Sequence, residues 1–240
     1  MSRYEKAWQA VAARVANAAN EAGRAPESVA ILAVSKTFPA DAVREVHALG
    51  QRAFGENYVR EGEAKRVALA DLRDLRLVLI GPLQSNKAAR AARIFDAVET
   101  IDRLDIARKL AAARAALGDA PPLDVLVQVN ISGEPQKHGV TIDDALPLAR
   151  EVARLPALRL RGFMGIAAAD AAETAVRAQF GALRQAFDAA RREGLGLDTL
   201  SMGMSADLEA AVAEGATEVR IGSAIFGARM ASPAAAEAIS

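Results

Sequence analysis

Eight short apolar runs recur along this chain, the first seven each followed by a stretch of helical periodicity, and that alternation restricts the topology more than any other feature. The runs are Ala30–Thr37, Arg52–Asn57, Leu75–Ile80, Asp96–Thr100, Leu123–Asn130, Leu158–Met164, Thr199–Ser201 and Glu218–Ile221. Between them fall helices read from apolar spacing and stop signals: one opened by Pro39 and Asp41 and ended by Gly50, a charged one over Val59–Leu69, one capped by Ser85 and running to Ile94, and one capped by Asp102 and running to Leu117. Further helices cover Ile142–Leu155, Glu173–Arg192 and Ala206–Glu214, and another, over residues 3–22, precedes the first strand. Strands that alternate with helices at these spacings are parallel. With 240 residues, close to the ~250 typical of a (β/α)₈ barrel, the expected fold is a single α/β TIM barrel with an N-terminal helix, one domain over residues 1–240. A doubly wound open sheet is the runner-up, since periodicity does not distinguish closure from an open edge. The tail from Ala231 to Ser240 is expected to be loosely held.

Chemistry is sought at the carboxyl ends of the strands, where barrel active faces lie. The first run, Ala30-Ile31-Leu32-Ala33-Val34-Ser35-Lys36-Thr37, ends on one lysine. Desolvation at such a mouth lowers a lysine pKa and frees the amine as a nucleophile. The alternative reading is a lysine that reaches past the strand end to water. The other ends carry Asn57, then Gln84 with Asn86 and Lys87, Asn130 with Ser132, Met164, Met202-Gly203-Met204-Ser205, and Gly222-Ser223. The glycine-serine pairs follow strands seven and eight, where barrels most often bind phosphate. Gly203 lets backbone approach an anion, Ser205 is placed to cap the next helix, and Gly222-Ser223 adds a second nest. Taken singly, Gly203 and Gly222 read equally well as plain tight turns. Arg220, between Val219 and Ile221, either faces inward, where its donor fork suits a heteroaromatic nitrogen, or outward against a helix.

Composition removes several function classes. Thirty basic and thirty acidic side chains cancel, and no basic block gives a footprint for nucleic acid or an anionic membrane. Cysteine is absent, and the two histidines, His47 and His138, lie far apart, so disulfides, thiolate catalysis and a zinc site are not expected. Neither a signal segment nor an apolar span of membrane length occurs, which makes a cytoplasmic protein the expectation.

Read together, Ala33-Val34-Ser35-Lys36-Thr37, Phe54-Gly55-Glu56-Asn57-Tyr58, Ile80-Gly81-Pro82-Leu83-Gln84-Ser85-Asn86-Lys87, Leu200-Ser201-Met202-Gly203-Met204-Ser205 with Asp207 and Glu209, and Val219-Arg220-Ile221-Gly222-Ser223-Ala224-Ile225-Phe226-Gly227 carry a resemblance that covers nearly the whole chain. The chain resembles the pyridoxal phosphate homeostasis protein family, whose barrel is similar to the N-terminal domain of alanine racemase. The resemblance implies that Lys36 holds pyridoxal 5′-phosphate as an internal aldimine and that Asn57 lies beside the ring hydroxyl. It implies that Met204, Ser205, Gly222 and Ser223 bind the phosphate and that Arg220 faces the pyridine nitrogen. An arginine does not give up a proton to that nitrogen, so the ring is a weaker electron sink than one paired with a carboxylate. One position departs from the family: Val78 stands where a histidine is common, two residues before Ile80-Gly81. Lys137 matches a lysine of relatives and reads here as a solvated loop residue.

Racemisation needs a second acid/base opposite the lysine. In alanine racemase it is a tyrosine brought by a C-terminal domain and a partner subunit, and no such domain follows Phe226. Tyr4 is on the leading helix, and Tyr58 reads as helix packing. The expected function is therefore a monomeric, non-catalytic carrier that buffers the cofactor or delivers it to apo-enzymes, with no catalytic residue and no metal. A weak amino acid racemase is the alternative, and a cofactor-free aldolase with Lys36 as nucleophile is a third reading.

Overall fold

In the computed structural model, which describes residues 3–227, the eight strands are parallel, pair in chain order and close into a barrel, β1 on β8. Closure excludes the open sheet. The strands are β1 (Ala30–Val34), β2 (Ala53–Glu56), β3 (Arg76–Leu79), β4 (Ala97–Ile101), β5 (Leu123–Val129), β6 (Leu158–Gly165), β7 (Thr199–Ser201) and β8 (Glu218–Ile221). The helices are α1 (Glu5–Glu21), α2 (Ala40–Ala48), α3 (Val59–Ala68), α4 (Ala88–Ile94), α5 (Leu104–Ala115), α6 (Ile142–Ala153), α7 (Glu173–Arg192), α8 (Leu208–Ala213) and α9 (Ser223–Phe226). The tail from Ala231 lies outside the described residues.

Why these runs become strands follows from their two-sided burial. Every residue of β4 and β5 is buried, as a strand covered by helices outside and by the lumen inside must be. Alternation sorts the side chains. Phe54, Leu77, Val219 and Ile221 face the helices and join the main core, whereas Leu32, Val78 and Ala97 form a separate small cluster inside the barrel. Val78, the departure from the family pattern, therefore packs below the mouth rather than in it.

Several expected caps are not formed. Ser85 sits in a 3₁₀ turn, Ser85–Lys87, with α4 starting after it, and its hydroxyl only approaches Asp105 at 3.5 Å. Asp102 pairs with Arg103, the residue that precedes α5. Ser205 lies three residues before α8, and Asp207 occupies the boundary position. After β3 and β7 an extra turn separates strand from helix, whereas after β4 the helix starts one residue later than a cap at Asp102 requires.

α1 does not plug the barrel; it lies along α8 and α9. Arg14 on α1 pairs with Glu209 and donates from Nη1 to the Ser205 carbonyl at 2.9 Å. At its start, buried Tyr4 meets Phe226 edge-on at 5.5 Å, and Phe226 stacks on Phe38 at 5.1 Å. The leading helix thus braces two loops of the carboxyl-end mouth. Among the described residues no helix is long and apolar enough to cross a membrane, and no cluster of metal-ligating side chains occurs.

Candidate functional site

Lys36, Asn57, Met204, Ser205, Arg220, Gly222 and Ser223, separated by up to 187 positions in sequence (223 − 36), line one cavity of about 400 Å³ at the carboxyl ends of the strands. Apolar walls come from Val34, Phe38, Ile80 and Ile166. These four were not singled out from sequence, because an apolar residue at a strand end reads as core. A wider depression over Asp188, Arg191 and Arg192 lies along α7 and brings together no strand ends.

Lys36 stands on the turn two residues beyond β1, half buried. That turn is held from behind. Ser35 N–H donates to the Gly55 carbonyl at 3.0 Å, Lys65 Nζ on α3 donates to the Ser35 carbonyl at 2.7 Å, and the Thr37 N–H donates to Glu61. Thr37 itself is left-handed, φ 67°, a conformation that a β-branched residue adopts only when its neighbours enforce it. Beneath the turn, Glu56 accepts from Lys65 at 2.6 Å and from the Ser35 hydroxyl at 2.5 Å. Burial pushes the Glu56 carboxyl up to about 7, against the pull of Lys65.

Arg220 faces inward, which resolves the choice left open by the sequence. It is buried, and it donates to Ser201 Oγ and to the Gly165 carbonyl, both at 2.8 Å. Burial lowers its pKa while Glu99, Glu218 and Asp207 raise it; a guanidinium so placed stays charged. At the carboxyl ends of β7 and β8, the Ser205 and Ser223 hydroxyls lie 3.5 Å apart, so the turns after these two strands meet at one point. Gly203, at φ 94°, is required there: a Cβ would fall 2.5 Å from the Ala211 Cβ. The Met204 N–H is already committed to Asp207.

Other residues gathered from strand ends serve elsewhere. Asn130 braces the loop after β5, donating to the carbonyls of Glu134 and Lys137 and accepting from Ser132 and Gly133. Lys137 is not a solvated loop lysine: it donates to the Ala167 carbonyl and pairs with Glu134 at 2.6 Å. Tyr58, at the boundary before α3, is 37% exposed and outside the cavity lining.

The sequence profile of the family described as "Alanine racemase, N-terminal domain" matches residues 8–230. A pyridoxal phosphate homeostasis protein of Pseudomonas aeruginosa is 53% identical over 219 residues, covering 91% of this chain and 93% of that relative. The chain belongs to the pyridoxal phosphate homeostasis protein family. Among solved structures, PipY of Synechococcus elongatus, with PLP bound, is similar at 37% identity and a TM-score of 0.78, covering 89% of this chain and all of that one. An alanine racemase of Clostridium difficile shares the fold alone, at 15% identity and a TM-score of 0.73, with 90% of this chain matching 56% of that enzyme.

Family membership makes the close packing around Asn57 worth testing. A Cβ on Gly81 would fall 2.0 Å from the Asn57 carbonyl oxygen and 2.7 Å from its Cα. Backbone has no rotamer with which to yield, so Gly81→Ala is expected to push Asn57 out of the mouth and to destabilise by about 1–3 kcal/mol. The midpoint of urea unfolding measures this; an unchanged midpoint would mean that the β2 and β3 ends have room to part.

Proposed function

We propose that this chain binds pyridoxal 5′-phosphate in the mouth cavity through a Schiff-base linkage to Lys36 and serves cofactor homeostasis as a carrier rather than as an enzyme. One observation supports it most: an amine, a buried guanidinium and a pair of adjacent hydroxyls converge on a single cavity whose volume suits a small molecule. The chemistry of that donor set fits the cofactor. When bound, pyridoxal phosphate supplies an aldehyde on which an amine condenses with loss of water.

The residues divide the work. Lys36 Nζ would supply the amine that holds the aldehyde. Ser205, Gly222 and Ser223 hold the phosphate, with Met204 as wall. Arg220 would donate to the ring nitrogen without protonating it, and Asn57 would stand on the side of the ring hydroxyl. In this reading residues 1–240 act as one cofactor-binding domain, cytoplasmic and monomeric, handing its cargo to apo-enzymes that use the same cofactor.

A carrier is favoured over a racemase because no tyrosine, histidine or cysteine lines the cavity among the described residues, and inversion needs an acid/base on each face of the substrate. The test uses purified protein loaded with pyridoxal 5′-phosphate. It is expected to show the absorbance of a linked cofactor, to restore activity to a cofactor-stripped enzyme, and to form no D-alanine from L-alanine. Sustained D-isomer formation would make it a racemase. A protein that stays colourless when mixed with the cofactor would return the aldolase reading.

A further inference from the structure

A guanidinium inside a barrel needs acceptors for its donors. Arg220 has two, the Gly165 carbonyl and Ser201 Oγ. A serine hydroxyl carries one proton and a guanidinium accepts none, so Ser201 must turn its proton away from Arg220. It does: Ser201 Oγ donates to Glu99 Oε2 at 2.8 Å, joining β7 to β4. Glu99 is fully enclosed, 3% exposed. From β8, two residues before Arg220, Glu218 lines the same enclosed space as Glu99, and Glu218 Oε1 is buried without a partner. Burial and the Glu218 charge push Glu99 well above the usual carboxylate range. The Arg220 charge and the Ser201 hydroxyl oppose that rise.

Glu99 and Glu218 line a second cavity, of about 390 Å³, at the amino ends of the strands, where Asp124 is held by Arg76, Arg159 and Arg161. Glu99 and Ser201 therefore span the lumen from the base of the barrel to the floor of the mouth.

We infer that Glu99, acting through the Ser201 hydroxyl, is a positioning residue that fixes the Arg220 guanidinium at the floor of the mouth and with it the seat of the cofactor's ring nitrogen. This rests on the reading that the mouth binds pyridoxal phosphate. Glu99→Gln keeps an oxygen to accept from Ser201 and an N–H to donate to Glu218. Glu99→Ala keeps neither. Ser201→Ala cuts the link and leaves the space at Glu99 filled.

The experiment uses the full chain stripped of cofactor. Titration with pyridoxal 5′-phosphate, followed by absorbance, is expected to show roughly tenfold weaker binding for Glu99→Ala and Ser201→Ala, with a displaced absorption maximum. Glu99→Gln restores both. A role confined to folding would lower the melting temperature without moving the absorption band of the molecules that remain folded. In the cofactor-free protein, proton exchange at the Arg220 guanidinium, assigned by its loss in Arg220→Lys, is expected to quicken in the two alanine variants and to stay slow in Glu99→Gln. Wild-type affinity, band position and exchange in Glu99→Ala and Ser201→Ala would overturn the inference. Should the wild type itself fail to bind the cofactor while guanidinium exchange follows the expected order, the cofactor reading falls and the positioning of Arg220 stands.

Discussion

Lys36→Ala is expected to abolish covalent attachment of pyridoxal 5′-phosphate while leaving the fold intact. The side chain leaves a turn at the mouth rather than the core, so truncation opens no sealed void, and the turn keeps its clamps from Lys65 and Glu61. What remains is the proposed non-covalent seat: the buried Arg220 guanidinium and the adjacent hydroxyls of Ser205 and Ser223. Charge-assisted hydrogen bonds contribute about 1.5–3 kcal/mol each, so a few of them retain binding in roughly the micromolar to millimolar range. Borohydride reduction followed by intact mass measures the covalent fraction, and equilibrium dialysis measures the remainder. Cofactor mass still fixed in the variant would move the attachment to another lysine, with Lys87 and Lys137 the first to be mapped by peptide digestion.

The strands were legible because burial on both faces leaves a plain signature: Thr199–Ser201 and Glu218–Ile221 stand at the expected bounds, and Glu173–Arg192 is the helix its periodicity predicts. Residues after the strand ends were legible for a related reason, since a parallel barrel sends them all to one mouth. Direction was not legible. Arg220 reads the same whether it points to the lumen or to a helix, and only the closed register settles which. The caps failed for want of register: Ser85 and Ser205 each sit two residues before the helix boundary position, and Asp102 one residue before it. Most hidden was α3. Its buried face is Val59, Gly62 and Lys65, and a face with a glycine and a lysine looks like a solvated one until a carboxylate is known to lie beneath it.

That carboxylate makes Lys65→Met the most informative change outside the mouth. Glu56 and Lys65 are both buried, Glu56 Oε2 has no partner, and Glu56 titrates at about 7 rather than 4.5. A carboxyl raised on folding favours the folded state below its ordinary pKa, and the favour is lost as pH rises through the folded value. Without Lys65 the opposing attraction is gone and Glu56 rises further. At pH 5 wild type and variant both hold Glu56 protonated, and the variant loses the hydrogen bonds that Lys65 donates to the Ser35 carbonyl, Glu56 and Glu61. At pH 8 the wild type buries a paired carboxylate, whereas the variant must bury a lone charge or keep a proton against the pH, a loss of about 3–5 kcal/mol. Urea unfolding at the two pH values is expected to show the gap between wild type and variant widening from pH 5 to pH 8. An equal gap at both would mean that Glu56 and Lys65 act as ordinary hydrogen-bond partners. Adding Glu56→Gln to Lys65→Met removes the stranded charge and is expected to recover most of the loss at pH 8, because a neutral pair of similar volume carries no desolvation penalty of that size. The same series reports on the mouth: Lys65 holds the carbonyl next to Lys36, so cofactor binding should weaken in Lys65→Met at pH 5 as well, where the fold is least affected.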